Sequence, residues 1–230
     1  SRTLPIKEDN PMQPRQRFML SAVVSAIVFA IGYAVAVVIP GAGDTTTADY
    51  AKFYNSDSKM AVAMVLFFVL IGGCLLMLWF FNELRQRLPD TLLTRIGYTA
   101  AIIGVVALPI GAGILGGPGG GKQGGGIDYA GTPVAAAFAQ AGLGIMLGVG
   151  MVAFALAALL MSIAARRSGL ISRQAGVAGI VLAVLTAGSY FWFPGYAFVL
   201  WVLVVGLAAG KESEVPTAHA ATLATHSSGA

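Results

Sequence analysis

The chain has 230 residues, 57% of them hydrophobic and 10% charged, with a formal net charge of +4. Soluble domains carry roughly 25% charged residues, so this composition cannot clothe a water-facing surface and predicts lipid as the solvent. Nucleic acid is not the expected partner of the positive balance, because the basic residues flank apolar runs, where anionic lipid headgroups are the natural counter-charge.

A helix needs about 20 apolar residues to cross roughly 30 Å of hydrocarbon. The first such run, 18–39, follows Arg15 and Arg17. It is longer than the roughly 7–15 residues of a signal-peptide core and reads as a retained anchor. In the next loop Tyr50, Phe53 and Tyr54 alternate with Asp49, Lys52 and Asn55, which predicts a short segment lying on the membrane surface or docking a partner. The second run, 60–81, ends in Trp79, Phe80 and Phe81, placed as interfacial aromatics. It also holds Cys74, whose solitude rules out an intramolecular disulfide and a multi-cysteine metal site.

The third run, 97–115, contains Pro109, which predicts a kink. Gly116 to Lys122 then reads GGPGGGK, with the glycine and lysine spacing of a phosphate loop. Gln123 stands where that motif needs a magnesium-binding hydroxyl, and no strand precedes it, so a flexible linker is predicted. The fourth run, 133–164, is too long for an upright span, and its first third, 134–141, reads as an outer extension or the start of a tilted helix. Runs 174–193 and 195–210 complete the set. They are separated by Pro194 and surrounded by Tyr190, Phe191, Trp192, Phe193 and Tyr196, which predicts an outer hairpin turn.

The fold expected is therefore all-α: a polytopic bundle of six transmembrane helices forming one domain over 18–210. A cytoplasmic segment, 1–17, precedes it, and a disordered cytoplasmic tail, 211–230, follows. Eleven basic residues fall in the termini and in loops 82–96 and 165–173, against three, Lys52, Lys59 and Lys122, in the alternate loops. The positive-inside rule then gives an N-in, C-in topology.

Helices in lipid associate through small residues that let backbones approach. Rows of this kind predict packing seams at Ala22, Ala26, Ala30 and Ala34, at Gly144 and Gly148, and at Ala175, Gly179, Ala183 and Ala187. No Asp, Glu, Lys, Arg or His falls inside any of the six runs, which argues against coupled ion transport. Both histidines, His219 and His226, lie in the tail, so no intramembrane haem or histidine-bearing metal centre is expected.

No catalytic, cofactor-binding or metal-binding residue is predicted. Arg15, Arg17, Arg85, Arg87, Arg166 and Arg167 are placed as contacts to anionic lipid headgroups, and Gln140, the only amide inside an apolar run rather than at its end, as a contact for a neutral solute. An enzyme at the inner headgroup layer would have to use Glu83 and Asp90 as acid and base.

The stretches ADYAKFYNSDSKMAVAMVLFFVLIGGCLLMLWFFNELRQRL (48–88) and ARRSGLISRQAGVAGIVL (165–182) together make about a quarter of the chain. Both resemble loop-plus-span patterns of uncharacterised multi-span membrane proteins of actinobacteria. The resemblance implies a bacterial plasma membrane and about six helices, and brings no catalytic residue. The expected function is a non-catalytic binding or scaffold subunit that packs with lipid and with another membrane protein or a second copy. An uncoupled carrier or pore for a neutral molecule is the alternative.

Overall fold

The computed structural model describes residues 13–40, 46–125, 129–188 and 195–211, and among them every regular element is helical. In chain order these are α1 (Pro14–Tyr33), α2 (Val35–Val38), α3 (Thr47–Tyr54), α4 (Asp57–Arg87), α5 (Leu92–Gly125), α6 (Pro133–Leu143), the π-helix π1 (Gly144–Met151), α7 (Val152–Arg167), α8 (Arg173–Ala187) and α9 (Gly195–Lys211).

Local chemistry sets most of the ends. Pro14 and Pro133 occupy first-turn positions, where a missing N–H costs nothing. Pro40 and Pro89 force Ile39 and Leu88 into extended backbone and so stop α2 and α4. Thr46 and Asp49 form a capping box on α3, and the Ser172 hydroxyl accepts from the Ala175 N–H to start α8. After α7, Gly169 takes φ 75°, and the Leu170 N–H reaches the Ala165 carbonyl at 2.9 Å, closing the helix as a Schellman motif.

The helices stand as six columns: α1–α2, α4, α5, α6–π1–α7, α8 and α9. Each packs on the next, and α9 closes the ring on α1. Pairings show that neighbours are antiparallel. On α1 and α4, Ser25 donates to the Leu76 carbonyl while Arg87 reaches back to Pro14. On α4 and α5, Arg85 lies over Tyr98, and Met60 meets Gly119. On α9 and α1, Gly195 abuts Tyr33, and Gly206 abuts Ala22. The segments Pro14–Val38, Asp57–Arg87, Leu92–Gly120 and Pro133–Arg167 are long and apolar enough to cross a membrane; Arg173–Ala187 and Gly195–Gly210 are apolar but shorter.

The outer flank of the ring is aliphatic, with Ile27, Ile31, Val65, Phe68, Val106, Ile110, Val181, Val184 and Leu200 all exposed. Soluble monomers rarely show an apolar surface running round several helices, whereas hydrocarbon solvates it at no cost.

Several expectations are corrected. The GGPGGGK stretch continues the helix α5 rather than forming a flexible linker. Packing overrides poor propensity here: Met60 crowds Gly119, and the Tyr54 hydroxyl donates to the Leu115 carbonyl at 2.6 Å. Tyr50, Phe53 and Tyr54 do form a helix, yet they are buried instead of lying on a surface, because α3 turns its aromatic face onto α4 and α6. Phe80 and Phe81 likewise point into the bundle, leaving only Trp79 at a rim. The long fourth run is continuous through α6, π1 and α7, with π1 packed on α5. Residues 1–12, 189–194 and 212–230, including the outer aromatic hairpin, both histidines and most of the tail, lie outside the described residues.

Candidate functional site

Three regions could carry a function: the interior of the ring, the seams between columns, and the two ends. The interior is filled. Phe154 stacks on Phe198 with ring centroids 4.4 Å apart, meets Phe29 edge-on at 5.7 Å and lies parallel to Phe81 at 6.0 Å. Trp201 stacks on Phe81 and Phe198 and donates its Nε1 proton to the Ser162 hydroxyl at 2.8 Å. Stacked and edge-on rings at these separations leave aromatic carbon where a solute path through the ring would have to run.

Hydroxyls within the columns are used internally. Ser21 and Thr186 bond back to the carbonyls of Phe18 and Leu182 on their own helices. Ser25 bonds across to α4, and among the described residues no buried polar side-chain atom lacks a partner.

The seams are built on glycines that permit backbone contact. A Cβ on Gly73 would sit 2.7 Å from the Phe29 Cα, and Gly32 makes the reciprocal approach to Leu70. On α5, Gly97, Gly104 and Gly111 recur every seventh residue and receive Met161, Phe154 and Met146. Fourth-position pairs, Ala100 with Gly104 and Ala107 with Gly111, catch two of these glycines, and the heptad spacing adds Gly97.

The predicted seam residues fall unevenly. Ala22 and Ala26 are buried, with Ala22 beneath Gly206 of α9, while Ala30 and Ala34 are half-buried. Gly179 and Ala183 are buried, Ala175 is half-buried and Ala187 is exposed. A Cβ on Gly144 or Gly148 meets nothing within 4 Å, so neither glycine packs on another helix of this chain. Close packing falls instead on Gly142, whose Cβ would lie 2.6 Å from the Gly111 carbonyl oxygen, and on Gly150 against Leu108. The π segment holds more residues per turn and rotates the intervening glycines outward. Gln140 is exposed on α6, so it does not line the interior, and Pro109 is half-buried.

The two ends differ in charge. The starts of α1, α5 and α8 and the finishes of α4 and α7 meet at one end, which gathers Arg15, Arg17, Arg85, Arg87, Arg95, Arg166, Arg167 and Arg173. Arg17 pairs with Glu83 at 3.0 Å, and Trp79 donates to the same carboxylate. Arg87 donates to the Pro14 carbonyl at 2.8 Å and covers the Phe18 ring. Arg95 grips both oxygens of Asp90, at 2.8 and 2.6 Å, and this hydrogen bonding holds the Asp90 carboxyl below the usual carboxylate range. Glu83 and Asp90 are thus each occupied by a guanidinium. Arg85, Arg166 and Arg167 are exposed, and Arg15 is half-buried.

At the opposite end, the glycine face of α5 leaves a groove of about 210 Å³ against α2 and α4, walled by Ile39, Met60, Met64, Phe67, Gly116 and Gly120. Its lining is apolar. No group of three or more His, Cys, Asp or Glu side chains that could hold a metal ion occurs among the described residues. Compared with known proteins, the chain matches no family model, no curated protein and no solved structure.

Proposed function

We propose that the chain is a six-span, N-in, C-in protein of a bacterial plasma membrane that works as a non-catalytic binding or scaffold subunit, contacting lipid and another membrane protein or a second copy of itself. One observation carries this reading: the ring's interior is closed by interlocked aromatic side chains, so its usable surfaces are the flanks and ends. Arginines gathered at one end supply the charge bias that sets orientation, and the exposed aliphatic flank supplies the lipid-facing surface. The shorter columns α8 and α9 cross as spans under this reading, at about 1.5 Å per residue, with the bilayer thinning locally to meet them.

Purification of the full chain from its membrane in a mild detergent tests the role. A second chain, a partner or tightly retained lipid should accompany it. A lipid-free solitary monomer would contradict the proposed role.

A further inference from the structure

Between the last turn of α4 and the first turn of α5, Asn82, Arg85, Gln86, Leu88, Asp90 and Thr94 line a pocket of about 320 Å³ at the basic end. The neighbouring arginines are already engaged: Arg17 with Glu83, Arg87 with the Pro14 carbonyl, and Arg95 with Asp90. Arg85 differs. Its guanidinium lies over the Tyr98 ring at 4.7 Å and has no hydrogen-bond acceptor among the described residues. Its N–H donors are left for an outside acceptor, and a guanidinium can grip an oxyanion with two parallel bonds.

Asn82 lies three residues before Arg85 and four before Gln86, so it shares a helical face with each; both amides line the pocket and make no hydrogen bond among the described residues. Asp90, the one acid in the lining, is gripped by Arg95 and also feels the Arg85 charge, so two guanidinium groups against one carboxylate leave a net positive charge at the pocket.

We propose that this pocket binds a phosphate group, with the Arg85 guanidinium as a bidentate donor and the Asn82 and Gln86 amides completing the shell. The proposal rests on the topology above, in which this end meets the inner headgroup layer and a phospholipid is the nearest phosphate. Inorganic phosphate offers the same chemistry from water.

The full-length chain is placed in nanodiscs of phosphatidylcholine alone, of phosphatidylcholine with phosphatidylglycerol, or of phosphatidylcholine with inorganic phosphate added, and retained phosphate species are counted by native mass spectrometry. Arg85→Gln should weaken retention about tenfold, as loss of a charge-assisted bidentate contact does. Arg173→Gln makes the same charge change at an exposed residue of the same end that lies outside the pocket lining, and should retain close to the parental amount. Asn82→Leu, at an exposed position, provides a second variant if the first fails to fold, and should also lower retention.

Arg85-dependent retention of phosphatidylglycerol supports the pocket with a lipid occupant. Arg85-dependent binding of inorganic phosphate alone supports it with a soluble one. Equal retention by Arg85→Gln and Arg173→Gln overturns the proposal. Orientation is read separately by labelling, so an inverted chain that still binds phosphate through Arg85 overturns the topology and not the pocket.

Discussion

Alanine at Gly73 should break the packing of α1 on α4, while alanine at the adjacent Gly72 should leave it intact. At position 73 the added carbon would lie 2.7 Å from the Phe29 Cα and 2.9 Å from the Phe29 nitrogen, and at 72 it meets nothing within 4 Å. The obstructing atoms are backbone, so no side chain can rotate aside, and one helix must move away from the other. Forced overpacking typically costs about 1–3 kcal/mol, and a backbone obstruction belongs at the upper end or beyond it. Gly72→Ala gains helix propensity instead, by up to about 1 kcal/mol. Thermal melting in detergent should therefore separate neighbouring glycines by several degrees in opposite directions. Equal melting of the two variants would remove the α1–α4 contact from this account.

Phe154→Ala should be the most damaging truncation in the interior. Its ring lies against Phe29, Phe81 and Phe198, and fits the notch left by Gly104, where a Cβ would come within 2.7 Å of the ring. Lipid-embedded helices gain little from removing apolar surface from water, so the loss is mainly one of dispersion contacts across a void that its neighbours cannot fill. Phenylalanine-to-alanine changes in cores cost about 3–5 kcal/mol, and the lower part of that range is expected here. Unfolding followed by far-UV circular dichroism in mixed detergent measures it. A shift under about 1 kcal/mol would mean that the ring is not the keystone its contacts suggest.

Charge and hydropathy made the helices legible from sequence, because desolvated backbone in hydrocarbon must bond to itself and apolar length alone marks where it does so. Which small residues meet was far less legible. In a closed ring every column has two seams, and a four-residue row marks a stripe without naming its partner. The alanine row of α1 lies towards α9 at Ala22, while the α1–α4 contact is made through Phe29, Gly32 and Gly73. Gly144 and Gly148 pack on no other helix of this chain for a different reason, because the π segment shifts the helical phase that their spacing assumes. Tyr50, Phe53 and Tyr54 show a third limit. Alternation identifies an apolar face on α3, but lipid and the chain's own helices attract such a face through the same chemistry. Arg85 was visible as a basic residue; that it lies over Tyr98 with no hydrogen-bond acceptor among the described residues, while Arg17, Arg87 and Arg95 are bonded to protein oxygens, follows only from the meeting of α4 and α5.

Single cysteines read by a membrane-impermeant maleimide in intact cells test the membrane topology most directly. Ser168 follows α7 at the basic end, and Gly131 precedes α6 at the other; both are exposed, and the chain's own Cys74 is buried and should stay silent. Gly131→Cys should label at once, and Ser168→Cys only after the cells are permeabilised. Immediate labelling at 168 with protection at 131 would contradict the account.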